Sequence, residues 1–234
     1  MVAAFVLGHL ALGDMIFLQG AIRYLATLHD EVCVVCLDKY VEHALIMFPE
    51  SKIKLVVVEH GGRTWFQYPE AKGCAIYTCG AYVTHKAESD VNMYPDCFYD
   101  DFQIDRSIRT HHFKIDDPVN IRPMLPERYI FIHEEWTGGK CDIWSRIRND
   151  ILIVDPNKNH YDVENPFYEQ AQLVVSQPTI FHRIEVIKGA EELHMVESSY
   201  FCLACQLDLS RVKRKVCHFV RSSAPKNLGI FEIS

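Results

Sequence analysis

The stretch Ala4-Phe5-Val6-Leu7-Gly8-His9-Leu10-Ala11-Leu12-Gly13-Asp14-Met15-Ile16-Phe17 restricts the possible folds more than any other part of this chain. An apolar run enters a Gly-containing turn. Gly13-Asp14 then opens a segment with helical spacing through Ile16, Gln19, Gly20, Arg23, Tyr24 and Thr27. Strand, tight turn and helix make the first unit of an α/β sheet. Such sheets bind ligands at the carboxyl ends of their strands. Asp14 is therefore a carboxylate placed where chemistry is usually done.

The alternation continues. Strands are predicted at Val2–Leu7, Val32–Leu37, Lys54–Val58 and Cys74–Thr78, with helices at Asp14–Leu28 and Lys39–Met47. Residues 61–73, with Gly61-Gly62, read as loop and short helix. Residues 89–128 break the pattern with Pro95, Pro118, Pro123, Pro126 and the aromatics Tyr94, Phe98, Tyr99 and Phe102. The proline density at 118–126 marks a linker, and the aromatics are expected to pack a domain junction. Alternation then restarts with strands at Tyr129–His133, Ile151–Val154, Leu193–Val196 and Lys215–Val220. Helices are expected at Cys141–Arg148, Ile180–Gly189 (closed by Gly189) and Ser198–Leu207. The fold class that follows is α/β: two small Rossmann-like domains, 1–120 and 121–234, facing across a cleft.

Composition narrows the function. A chain of 234 residues, 49% hydrophobic, can bury two small cores. A net charge of −7 argues against a nucleic-acid partner. The basic segment Arg211-Val212-Lys213-Arg214-Lys215 is short and reads as a solvated edge. Nine cysteines, an odd number without regular spacing, suit a reducing compartment, so a cytoplasmic location is expected. No run of about 18 apolar residues occurs, so no membrane span is expected. The N-terminus lacks the basic start of a signal peptide.

Three loops after strands in the second half could bind a phosphorylated ligand. In Val196-Glu197-Ser198-Ser199 a strand ends and a helix opens. The serines there either cap the helix or hold a phosphate at its N-terminus. His133-Glu134-Glu135-Trp136-Thr137-Gly138-Gly139-Lys140 offers two glycines for close backbone approach and a lysine for a diphosphate. The third loop is Asp155-Pro156-Asn157-Lys158. The dinucleotide fingerprint, the Gly-rich phosphate loop and the hydrolase nucleophile elbow are all missing. Cys33-x-x-Cys36 and Cys202-x-x-Cys205 have no second pair at zinc-ribbon spacing, so no metal and no cofactor are expected.

Leu12-Gly13-Asp14-Met15-Ile16 followed by Ala21-Ile22-Arg23-Tyr24-Leu25 resembles the N-terminal signature of two-domain GT-B glycosyltransferases of the heptosyltransferase type. Val196-Glu197-Ser198-Ser199 is similar in position and kind to the acidic residue and hydroxyl residues that open a helix in their second domain. Segments 98–104, 108–109 and 132–134 also resemble compact members from bacteria and large DNA viruses. The resemblance implies metal-independent, inverting transfer from a nucleotide-sugar donor to a glycan or other hydroxyl acceptor. It makes Asp14 the general base. Within the C-terminal half, the expected donor site comprises His133, Glu134, Gly138, Gly139, Lys140, Asn157, Glu197, Ser198 and Ser199. Arg63, Arg146 and Arg183 are further phosphate candidates. The Glu-Ser-Ser turn lacks the glycine usual in that family. Two rival readings therefore stand beside this one: a non-catalytic nucleotide- or glycan-binding protein of the same fold, and a nucleotide-sugar epimerase.

Overall fold

The computed structural model describes residues 3–60, 64–79, 95–220 and 231–233. They form two compact units, the first within 1–115 and the second from 116 onward. Each is an α/β unit around an all-parallel sheet, as the alternation predicts. The proline-rich segment 118–126 thus belongs to the second unit, where Ile121 and Leu125 are buried.

In the first unit the strands are β1 (Ala4–Leu7), β2 (Val32–Leu37), β3 (Ile53–Val58) and β4 (Ala75–Thr78), in the spatial order β3-β2-β1-β4. β1 lies between two partners, with Phe5 opposite Cys33 on one side and Ile76 on the other. All four of its residues are buried, which is why it reads as a continuous apolar run. Helix α1 (Leu12–Leu28) follows and buries Leu12, every residue from Met15 to Ile22, and Leu25, so its middle is covered on all sides rather than along one stripe. α2 (Val41–Met47) links β2 to β3.

Two polar or small residues of α1 are explained only by packing. Gln19 is fully buried. Its Nε2 donates to the carbonyls of Met47 (3.1 Å) and Lys114 (2.8 Å), and its Oε1 accepts from Lys114 N (3.2 Å). The amide is satisfied, so it ties α1 to two distant segments. Gly20 lies under α4 (Ile108–His111): a Cβ there would stand 2.7 Å from the Ile108 carbonyl oxygen and 2.8 Å from that of Arg109. The aromatics expected at a domain junction instead pack within the first unit around α3 (Cys97–Asp101). Tyr99 Oη donates to the Phe17 carbonyl (2.7 Å), and Phe102 meets Tyr77. Tyr94, Gly61, Gly62 and Arg63 lie outside the described residues.

The second unit contains β5 (Tyr129–His133), the hairpin β6 (Glu135–Trp136) and β7 (Gly139–Lys140), β8 (Leu152–Val154), α5 (Tyr168–Val175), α6 (Ile184–Lys188), β9 (Glu192–Val196), α7 (Ser199–Ala204), β10 (Arg214–His218) and β11 (Glu232–Ile233). Its main sheet runs β11-β10-β9-β5-β8. Three local expectations change. Residues 141–148 hold only a 3-10 turn, Trp144–Arg146. α5 and β11 were not legible in the sequence. Gly189 does end α6, but with φ −92°, so no left-handed cap explains it. Its bare Cα instead makes room for the Arg122 side chain.

At the amino ends of these strands the basic residues are paired. Glu191 accepts from Arg128 (2.6 Å) and Arg148 (2.9 Å), and Arg214 reaches Glu232 (3.2 Å). From the segment 211–215, Lys213 (3.6 Å from Glu191) and Arg214 join this network, whereas Lys215 donates to the Val212 carbonyl (2.9 Å).

β9 and β10 bury a histidine pair. His194 Nδ1 lies 3.2 Å from His218 Nε2, with the rings stacked, and His194 Nε2 lies 3.2 Å from Glu192 Oε2. Burial holds both imidazoles below their ordinary 6.5, His218 down to about 4, with His194, Arg146 and Arg214 adding to the effect on His218. A histidine depressed in the folded state takes up its proton more readily when unfolded, so acid favours unfolding. Stability is therefore complete above pH 6.5 and falls as pH drops from there toward about 4. Urea midpoints of the second unit, followed by tryptophan fluorescence, should decline across that window. A His194→Gln/His218→Gln variant should decline less steeply. An equal slope in the two proteins would show that the pair does not act this way.

Candidate functional site

In a parallel sheet the natural ligand position is where strand order reverses, because the loops leaving the two strands diverge there. In the first unit that point lies between β1 and β4. In the second it lies between β5 and β9.

Asp14 is at the first of these points. The N-cap of α1 is Ala11, not Asp14, and no side chain caps the helix. Asp14 is instead its third residue, in the first turn, where the exposed amides of a 17-residue helix favour negative charge. Its Oδ2 lies 3.5 Å from His9 Nδ1, and the carboxylate is 15% exposed. The His9 ring rests against Phe98. Sequence reading passed over His9, because only the turn after β1 folds it back onto the helix. Cys79, beyond the end of β4, is fully buried. Burial pushes its thiol up, which rules out a resting thiolate nucleophile there.

At the second point the end of β5 meets the start of α7. Ser198 Oγ lies 2.9 Å from His133 Nδ1, and Asn157 Nδ2 lies 3.2 Å from His133 Nε2 and 3.1 Å from Glu135 Oε2. An amide nitrogen only donates. Nε2 therefore accepts, and Nδ1–H donates to Ser198. The hydroxyl oxygen also accepts from Phe201 N (3.5 Å), capping α7. Ser198 is left with its own proton to donate. His133 is the wrong tautomer to serve as a base toward Ser198, so the trio is not a nucleophile triad. Burial, followed by the Arg183 charge, pushes His133 down to about 3, so the ring stays neutral. α7 spans six residues, too short for a strong dipole.

The other residues of the second site fall into separate groups. Glu134 is 1% exposed. Its Oε1 accepts from Ile143 N and Trp144 N, both 2.8 Å, and its Oε2 pairs with Lys140 Nζ at 3.0 Å. Burial pushes its carboxyl up, but the amides and Lys140 outweigh that, and the net shift is downward. Thr137 and Gly138 form the β6–β7 turn, and Gly139 is the first residue of β7, opposite Trp136. Gly139 has φ +153°, and a Cβ on Gly138 would lie 2.6 Å from Trp136 Nε1. The hairpin alone thus accounts for both glycines. Glu197 Oε2 accepts from Val220 N (2.8 Å), on the β10 side, and Ser199 is the first residue of α7.

Among the arginines, Arg183 is removed as a phosphate candidate. It is 4% exposed, and its guanidinium is committed to backbone carbonyls. Arg146 is exposed, and its charge reaches His218 at the carboxyl end of β10. Sequence reading also missed Asp155 and His160 as a unit. His160 Nε2 lies 3.0 Å from Asp155 Oδ2 and 3.6 Å from Glu134 Oε2. Asp155 stands at a strand end, a visible signal, but His160 is brought to it only by the loop.

No known protein family matches the chain, and no curated protein does. Among solved structures it is similar to the bacterial iron-containing dodecameric glycosyltransferase TibC from enterotoxigenic E. coli. The two share 13% identity over 93% of this chain and 57% of that one, with a TM-score of 0.50. It is also similar to TibC described as a heptosyltransferase in complex with ADP-D-beta-D-heptose (13% identity, 94% of this chain and 57% of that one, TM-score 0.46). A further similarity is to E. coli heptosyltransferase WaaC with ADP (10% identity, 99% and 94%, TM-score 0.45). The chain spans 57% of the length of TibC. At this identity the likeness shows the α/β fold of two Rossmann-like domains. Among the described residues, no helix is long and apolar enough to cross a membrane.

Proposed function

We propose that the protein is a glycosyltransferase of the GT-B class, moving a sugar from a nucleotide-sugar donor to an acceptor hydroxyl with inversion. One observation carries this reading. The strand-order reversal of one all-parallel sheet holds a carboxylate, and that of the other holds a serine hydroxyl beside a buried histidine, 2.9 Å from its Nδ1. The likeness of the fold to TibC supports it. Asp14 takes the acceptor proton as that oxygen attacks the anomeric carbon. The bond from that carbon to the diphosphate breaks, and the nucleoside diphosphate leaves with the electron pair. A sugar hydroxyl is a weak nucleophile, so a carboxylate within hydrogen-bond reach is the efficient activator. Ser198 and Ser199 donate to the leaving diphosphate, with Lys140 and Arg146 as cations. Asn157 and His133 hold Ser198 in place, Glu197 meets a sugar or ribose hydroxyl, and catalysis needs no metal at the reacting centre.

Calorimetric titration with UDP-, GDP-, dTDP-, CMP- and ADP-sugars tests the donor site. One nucleotide class should bind saturably, and Ser198→Ala/Ser199→Ala should weaken it about tenfold or more, the value of a hydrogen bond to a charged group. Failure of every donor to bind a folded sample would overturn the donor assignment. The pairing of Lys140 with Glu134 favours a second reading, a non-catalytic binder, because it ties up a cation that a leaving diphosphate needs. Nucleotide binding without transfer to any hydroxyl would select it.

A further inference from the structure

We infer that Glu134, Asp155 and His160 form a binding site for a first-row divalent metal ion, at the carboxyl ends of β5 and β8. This inference does not need the glycosyltransferase reading, but it shares Lys140 with that reading. Glu134 Oε2, Asp155 Oδ2 and His160 Nε2 converge, with the ligand atoms of the three residues within 4.8 Å of one another. His160 Nε2 is 3.0 Å from Asp155 Oδ2 and 3.6 Å from Glu134 Oε2. Ligands at about 2.1 Å from a tetrahedral or octahedral ion stand roughly 3–3.5 Å apart. The two spacings from His160 fall in or close to that range, and the third lies within 4.8 Å.

Hydrogen-bonded imidazoles show similar distances, so the case rests on how the three groups are held. Each carboxylate spends one oxygen on backbone amides and turns the other inward. Glu134 Oε1 accepts from Ile143 N and Trp144 N, and Asp155 Oδ1 accepts from Asn157 N at 2.9 Å. The His160 ring is stacked on Trp144 at 4.4 Å and 9° between planes. Outer partners that fix ligand orientation in this way are characteristic of metal sites. Two carboxylates, 1% and 2% exposed, thus aim like charges at one point. Glu134 Oε2 makes no well-formed hydrogen bond there. Its cationic partner is the Lys140 ammonium, an ion pair at 3.0 Å on a side chain 44% exposed. A buried oxygen so placed is ready for a cation, with the Lys140 ammonium as its replaceable stand-in. One imidazole and two carboxylates suit Mn²⁺, Fe²⁺ or Zn²⁺. The ion would pin the loop after β8 to Glu134, the residue that follows β5.

The test uses the full chain, stripped with chelator and titrated with Mn²⁺ followed by electron paramagnetic resonance. Mn²⁺ prefers oxygen and nitrogen, which guards against binding by the nine free thiols. One Mn²⁺ per chain should bind and raise the melting temperature. Glu134→Gln, which keeps an oxygen for the two amides, and His160→Phe should each weaken binding by more than about 100-fold, beyond the effect of losing an outer partner. Lys140→Met should tighten it several-fold, a gain that misfolding cannot produce. Co²⁺ should give visible bands without thiolate charge transfer. Absence of saturable binding in both the parent chain and folded Lys140→Met would overturn the site. So would affinity unchanged by His160→Phe, or a Co²⁺ spectrum dominated by thiolate.

Discussion

Replacing Asp14 by Asn is expected to lower the proposed glycosyl transfer by roughly 100- to 10,000-fold, the usual worth of a positioned general base, the role we propose for it. The substitution keeps size and hydrogen-bonding capacity but removes the ability to take a proton. Asp14 sits in the first turn of α1, 3.5 Å from His9 Nδ1. Losing its charge there costs about 0.3–1 kcal/mol of helix stabilisation, too little to unfold the unit. Donor affinity, which the second unit supplies under the proposal, should hardly change. Turnover and nucleotide binding measured on the same preparation separate the effects. A fall in turnover of less than tenfold would remove Asp14 from the role of base. Equal losses in turnover and binding would point to structural damage instead.

Arg183→Met is expected to destabilise the second unit by about 2–4 kcal/mol, the scale of losing several buried hydrogen bonds from a charged donor to backbone carbonyls. Arg183 Nε donates to Val174 O (2.9 Å) and Nη1 to Thr179 O (2.7 Å). Nη2 donates to Gln177 O (2.8 Å) and Val175 O (3.1 Å), with Pro156 O at 3.5 Å. Val174 and Val175 are the last residues of α5, so their carbonyls are among those a helix end leaves without partners. Methionine fills similar space but donates nothing: the Val174 and Thr179 carbonyls keep only the longer backbone bonds from Gln177 N (3.5 Å) and His182 N (3.3 Å), and those of Val175 and Gln177 lose their arginine donor. Arg183→Lys should rescue only part of the loss, since an ammonium cannot span the fork of acceptors. Urea unfolding followed through Trp136 and Trp144, both in the second unit, measures the effect. A loss below about 1 kcal/mol, or weaker nucleotide binding at unchanged stability, would return Arg183 to the phosphate-binding candidates.

The alternation of strand and helix was legible because its signal is local. β1, β2 and β5 are buried on both faces and read as apolar runs, and α1 is a long apolar-rich segment buried continuously from Met15 to Ile22. The position of Asp14 after a strand and of Ser198 before a helix followed from the same local grammar. Elements of marginal length escaped: β11 has two residues and exists through its pairing with β10, and the eight residues of α5 end on carbonyls that Arg183 satisfies.

By itself, then, the sequence determined the α/β class, the parallel sheets and the loops that carry polar groups, because periodicity and turn residues act over a few positions. Tertiary structure decided what each of those polar groups does. It spent Arg183 on carbonyls, set Gly138 and Gly139 in a hairpin and joined Lys140 to Glu134. It also gathered Asp155 and His160 with Glu134, residues brought together from the loops after two neighbouring strands. Burial and hydrogen-bond partners depend on which distant segments meet, and spacing along the chain does not encode that.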